Sequence, residues 1–211
     1  MMERGCSRGV VTIEGEYERV YQFKITLKGI RPPVWRRIQV PENYSFWDLH
    51  VAIQDVMGWL DYHLHEFELI DPSSGMERRI GLPHEEFPRV LAGWEQAIAE
   101  YFTEEGQTVD YVYDFGDNWE HKVELEKILP REENVDYPRC IKGKRACPPE
   151  DCGGVWGYEE FLKIIDDPDH EDHEEMLEWV GGEFDPDRFN LEDISFSDPD
   201  ERLEFVKFRL E

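Results

Sequence analysis

The chain has 211 residues, 40% of them hydrophobic and 13% aromatic with seven tryptophans, which is more apolar surface than a disordered chain carries. Its net charge is −26, from 23 basic and 49 acidic residues, a balance that repels phosphate backbones and argues against direct nucleic-acid binding. No apolar run approaches the ~20 residues of a membrane span, and the opening MMERGCSRGVVTIEGEYERV lacks the apolar core of a secretory signal, so a cytoplasmic protein without a membrane partner is expected.

Residues 1–18 read as a polar, flexible lead-in, and 19–211 as a single α+β domain with an acidic, helical C-terminal part. YQFKITLKG alternates, with Tyr21, Phe23, Ile25 and Leu27 on one face, and reads as a half-buried strand. Gly29 to Pro33 is a turn, because paired prolines cannot sit in a ladder. A second strand follows, with Val34, Ile38 and Val40 inward; by parity Arg36 shares that face. SFWDLHVAIQDVMGWL then shows helical spacing at Leu49, Ile53, Val56 and Leu60, with Ser45 and Asp48 as a capping box and Gly58 near the stop. His50 flanks the apolar stripe.

HLHEFELI is the next strand, with His63, His65, Phe67 and Leu69 on one face, and DPSSG is a turn. Residues 76–93 give no assignment; Trp94 to Tyr101 reads as a short helix. TVDYVYDFGDNWEHKVELEKILP is a long hairpin turning at Phe115–Asn118, and Trp119, His121, Val123 and Leu125 share a face of its return strand. YEEFLKII and HEEMLEWVGG are helices, the second stopped by Gly181–Gly182. FDPDRFNLEDI is a docking segment, and the periodicity of ERLEFVKFRLE fits helix or strand. A strand–strand–helix–strand start followed by a long hairpin predicts an α+β fold, a mixed sheet similar to the β-grasp at its start, with helices packed on it.

Three groupings could carry chemistry. Cys140, Cys147 and Cys152 could supply thiolates to a zinc ion, with His121 as fourth ligand and His170 or His173 as alternatives. Lys142, Lys144 and Arg145 would favour the thiolates; the competing reading is small buried cysteines in a loop, since no second CxxC is present. A Cys147–Cys152 disulfide is disfavoured by a reducing compartment and by the stiff Pro148–Pro149 pair. Around DFGDNWEH and HLHEF, the residues His63, His65, Asp114, Asp117 and Trp119 form a candidate polar pocket for acid–base work or a cation. Against this, Asp and Asn serve turns routinely and an inward strand histidine is usually a packed core residue. Trp35, Trp94 and Trp156 lie outside the periodic faces, where a second small core is the expectation and a partner contact the alternative.

Several stretches together, YQFKITLKGIRPPVWRRIQVPENYSFWDLHVAIQDVMGW, HLHEFEL, YVYDFGDNWEHKVELEKI, CIKGKRACPPEDCGGVWGYEEF and HEEMLEWVGGEFDPDRFN, resemble the plasmid pRiA4b ORF-3-like family. Some of its relatives are labelled insertion-element passenger proteins of the TnpR type. The resemblance runs from about Tyr21 to about Asn190. It implies an α+β domain and an association with plasmids and mobile elements, and no settled reaction. The residues themselves rank recombination low. A recombinase needs a nucleophile, phosphate-holding arginines and a basic surface, whereas the cations cluster only at Arg31, Arg36 and Arg37 and at Lys142, Lys144 and Arg145.

The functional expectation is a binding or interaction module with a protein partner, stabilised by zinc on the cysteine loop and without evident catalytic machinery. The alternative is a metal-dependent hydrolase or nuclease using His63, His65, His121 and Asp117. A second is an acidic mimic of DNA charge, because 159–204 holds 19 acidic residues against Lys163, Arg188 and Arg202, a net of −16.

Overall fold

The first two strands of the computed structural model, β1 (Arg19–Leu27) and β2 (Trp35–Pro41), pair antiparallel with Phe23 opposite Ile38 and Ile25 opposite Arg36. The structure describes residues 17–84 and 89–210, so most of the expected lead-in, with Cys6, lies outside the described residues. Parity does turn Arg36 inward, where it is only 3% exposed. Burial is tolerated because its guanidinium donates to the carbonyls of Val56 at 2.8 Å and of Trp35 and Lys144 at 3.0 Å, and faces the Phe189 ring at 4.4 Å.

Helix α1 (Phe46–Met57) begins as the capping box requires. Ser45 Oγ accepts from the Asp48 N–H at 3.2 Å, and Asp48 accepts from the Ser45 N–H at 2.7 Å. It ends at Gly58, whose φ of 83° is the left-handed conformation of a helix stop. Strands β3 (His65–Ile70), β4 (Glu77–Gly81) and β5 (Val90–Ala92) follow. The helix expected over 94–101 is a 3-10 turn at Gly93–Glu95 and a single-turn helix α2 (Ile98–Tyr101). The hairpin is β6 (Thr108–Tyr113) and β7 (Trp119–Pro130), after which the chain adds β8 (Arg139–Lys144).

The eight strands form one mixed sheet in the order β5-β4-β3-β6-β7-β1-β2-β8, antiparallel except for β4 with β5. The strand–strand–helix–strand start is present, and the β6–β7 hairpin sits between β1 and β3. The core under α1 is aromatic: Phe46 packs edge-on against Phe67 at 5.0 Å, and Phe23 against Phe102 at 4.8 Å.

Helices α3 (Gly154–Asp166), α4 (His173–Trp179) and α5 (Pro199–Leu210) make up the acidic part. Phe161, Trp179 and Phe184 form a small aromatic cluster between α3 and α4. The segment before α5 docks as expected, with Phe189 packed over Gly143 of β8. Packing settles the ambiguous last element as helix: the Trp47 indole donates to the Pro199 carbonyl at 2.8 Å, and Arg202 reaches Asp55 of α1 at 2.7 Å. Among the described residues no helix is long and apolar enough to cross a membrane.

Candidate functional site

Three loops meet at one end of the sheet. The first is 58–64, between α1 and β3; the second is the hairpin turn 114–118; the third is 145–153, between β8 and α3. Their backbones are tied together before any free side chain is considered. Glu150 accepts from the Leu60 N–H at 2.8 Å and from the Tyr113 hydroxyl, which itself accepts from the Tyr62 N–H at 3.1 Å. The Trp59 indole donates to the Pro148 carbonyl at 2.9 Å, the Gly153 N–H to the Asp117 carboxylate at 3.1 Å, and the Asp114 N–H to the Leu64 carbonyl at 2.9 Å. Glycine is obligatory at 154: its φ is +68°, and a Cβ there would stand 2.4 Å from the Asp117 carbonyl oxygen.

On this platform His63, Asp114 and Asp151 converge. The His63 Nε2 lies 3.0 Å from Asp151 Oδ1 and 3.6 Å from Asp114 Oδ2. Asp114 is nearly buried and also accepts from the Gly116 N–H at 2.9 Å, while the Asp151 side chain is 66% exposed. Of the residues expected to share a polar pocket, the structure therefore brings together His63 and Asp114. Asp117 serves the neighbouring loop as a backbone cap, and Trp119 is core, beside Trp59 at 5.9 Å. Asp151 went unnoticed in sequence, as one of 49 acidic residues.

His65 belongs to a second, buried group. Its ring lies flat on that of His50, with centroids 3.4 Å apart and planes within 7°. His50 Nδ1 meets the Tyr111 hydroxyl at 2.8 Å and its Nε2 meets Asp61 at 2.9 Å; Gln54 donates to the same hydroxyl at 2.9 Å. Because Gln54 supplies one proton to Tyr111, the hydroxyl can donate its own to Nδ1 while Nε2–H donates to Asp61, so both ring nitrogens are used. Burial pushes the His65 pKa well below the ordinary imidazole range, with His50 beside it adding to the effect. His121, on the other side of Tyr111, is fully buried, and burial pushes its pKa down to about 4. Its Nδ1 donates to the Tyr111 carbonyl at 3.3 Å, and its Nε2 has no hydrogen-bond partner among the described residues.

Among the described residues, the sets of three or more His, Cys, Asp or Glu ligand atoms within 4.8 Å of one another are His50–Asp61–His65 and His63–Asp114–Asp151. Cys140, Cys147 and Cys152 do not form such a set, with one another or with His121, His170 or His173. His173 bonds the Ile164 carbonyl at 3.0 Å, and His170 accepts from the Asp172 N–H at 3.1 Å. The buried Arg36 acts to lower Cys140 and Cys147, and it does not prevail. Burial pushes Cys147 and Cys152 up to about 12 and also raises Cys140, so the loop holds thiols where the sequence suggested thiolates.

Beyond Asp151 and Cys152 the surface opens into a groove of about 340 Å³ between α3 and α4. Phe161, Ile164, Met176 and Trp179 supply its apolar wall, and Asp151 and Glu160 its charged rim. Trp179 packs edge-on against Phe161 at 5.8 Å yet remains 45% exposed, and Trp156, where a second small core was expected, is 82% exposed. Trp35 and Trp94 are half-buried, under Lys24 and Arg37 and under Lys207 respectively.

Comparison with known proteins places this architecture. Residues 19–193 match the family model of the plasmid pRiA4b ORF-3-like protein. The uncharacterized protein y4hQ of Sinorhizobium fredii is 37% identical over 164 residues, 77% of this chain and 81% of that protein. The crystal structure of MM3350, a protein of unknown function from Methanosarcina mazei Go1, is 53% identical, superposes with a TM-score of 0.81, and covers 86% of this chain and 100% of that one.

Proposed function

The chain belongs to the pRiA4b ORF-3-like family, and on that footing we propose that it is an interaction module that holds a basic, apolar-anchored segment of a partner protein in the α3–α4 groove. The observation that carries this is the setting of that groove: an apolar wall of Phe161, Ile164, Met176 and Trp179 lies within a stretch, 159–204, whose net charge is −16. Apolar walls supply affinity on desolvation, and a partly exposed tryptophan at such a wall is the residue type that dominates interface energies. Methionine adapts its shape to different side chains. The acidic rim selects lysine or arginine and speeds encounter.

The hollow at the histidines is small for a site that turns over a small molecule. The space lined by Trp47, Asp61, His63 and His65 is about 150 Å³, well below the roughly 300–1,000 Å³ of small-molecule sites.

The test is an array of synthetic 15-residue peptides, graded from acidic to basic and with or without leucine or tryptophan anchors, probed with the wild type and with Trp179→Ala. Binding confined to basic, anchored peptides and weakened at least about tenfold by the substitution is the expected result. Equal binding to acidic and basic peptides, or binding indifferent to Trp179, refutes the reading.

A further inference from the structure

We propose that His63, Asp114 and Asp151 form a divalent-cation site at the three-loop junction, of the mixed nitrogen and oxygen kind that suits Mn²⁺ or Zn²⁺. Ligands held about 2.1 Å from one ion stand about 3.0 Å apart at right angles and about 3.4 Å apart in a tetrahedron. The observed separations from His63 Nε2, 3.0 Å to Asp151 and 3.6 Å to Asp114, bracket that spacing. One imidazole and two carboxylates are a donor set for these ions. The exposed side of Asp151 leaves the remaining positions to water.

A proton does not satisfy this cluster as well as a cation does. The single Nε2–H of His63 can donate to Asp151, but Asp114 at 3.6 Å is beyond hydrogen-bond reach. Among the described residues, neither carboxylate is paired with a lysine or arginine. A divalent ion neutralises both at once. Each ligand also comes from a different loop, and those loops are already fixed by Glu150, Tyr113, Asp117 and the Leu64 carbonyl. The site is thus held in place by groups other than its own ligands, the arrangement that orients first ligands elsewhere.

The buried set is the weaker candidate. His50 already uses both ring nitrogens, and its ring lies flat on His65 at 3.4 Å. Two stacked imidazoles project their lone pairs in parallel planes, so they cannot aim at one ion unless a ring turns.

The proposal does not depend on the peptide reading, although Asp151 also lines the groove. The experiment is calorimetric titration of chelator-treated, full-length protein with Mn²⁺ and separately with Zn²⁺, together with Asp151→Asn, His63→Gln and Cys147→Ser. Asp151 is a surface side chain, so its variant is expected to keep the wild-type circular dichroism. One saturable site in the wild type, weakened about tenfold or more in Asp151→Asn and His63→Gln and unchanged in Cys147→Ser, is the expected outcome. No saturable binding, or binding unchanged from the wild type in both ligand variants, overturns it. Zinc retained by His63→Gln and lost in Cys147→Ser would assign the metal to the thiols and overturn it as well.

Discussion

His121 makes the protein sensitive to mild acid, and the size of the effect follows from its surroundings. The ring is fully buried between Trp59, edge-on at 5.4 Å, and Tyr111 at 5.2 Å. Burial disfavours the imidazolium and takes the folded-state pKa from an ordinary 6.5 to about 4. A histidine depressed in this way is neutral in the native state while the unfolded chain gains a proton, so stability is complete above pH ~6.5 and is lost as the pH falls toward 4. Linkage over a shift of that size gives a loss of about 1.8 kcal/mol between pH 7 and pH 5, and about 3 kcal/mol by pH 4.

The decisive comparison is urea unfolding of the wild type and of His121→Phe at pH 7, 6 and 5. Phenylalanine keeps a planar ring in the same space and cannot titrate. Losing the 3.3 Å bond to the Tyr111 carbonyl lowers its stability by about 1 kcal/mol at every pH. The wild type should then lose about 1.8 kcal/mol more than the variant from pH 7 to pH 5. His65, depressed in the same direction, and the buried carboxylates Asp48 and Asp55, raised by burial and so acting in the opposite sense, are common to both proteins and cancel. If the two proteins show the same pH dependence, the buried neutral histidine is not the acid-sensitive group.

Two further outcomes follow from the third loop. In a background carrying Cys6→Ser and Cys140→Ser, Cys147 and Cys152 should react with iodoacetamide at pH 8 about a thousandfold more slowly than a free thiol, because a pKa of about 12 leaves little thiolate at either. Urea should restore the ordinary rate, and fast labelling without urea would contradict the burial argument. Gly154→Ala should lower stability by about 2 kcal/mol or more, measured by thermal unfolding, since alanine at φ +68° is strained and its Cβ meets the Asp117 carbonyl; unchanged stability would mean that this loop does not rest on the hairpin turn.

What could be read from the chain followed from how many residues repeat the same signal. Helix α1 announces itself through Ser45, Asp48, the spaced Leu49, Ile53 and Val56, and Gly58, all serving one element, whereas Leu60, which shares their spacing, lies beyond the stop and is 62% exposed. The hairpin does so through a turn and two alternating strands. β8 could not be seen in this way. It is an edge strand whose residues are half-buried or exposed, so RCIKGK shows no alternation, and it exists because β2 offers it a partner and Phe189 packs over Gly143. The candidate site divides along the same line. His63 and Asp114 stand in stretches rich in histidine or turn residues and draw notice. His50 passes as the edge of an apolar stripe, and its bonds to Tyr111 and Asp61 arise only when distant strands and loops meet.

The cysteine loop shows most clearly why spacing alone misleads. In RCIKGKRACPPEDCGG the thiols attract attention, since three soft ligands within thirteen residues suggest an ion. A ligand set needs atoms that converge and can ionise, and here burial raises the pKa of every thiol while the three do not converge as a set. The same loop is nonetheless anchored through the residues beside them. The Pro148 carbonyl and Glu150 fasten it to Trp59, Leu60 and Tyr113, and the Gly153 N–H fastens it to Asp117. Asp151, next to Glu150, is thereby delivered to His63. The prolines and glycines that make the loop resemble a metal knuckle instead set a carboxylate at the meeting point of three loops, where it faces a histidine on one side and the acidic groove on the other.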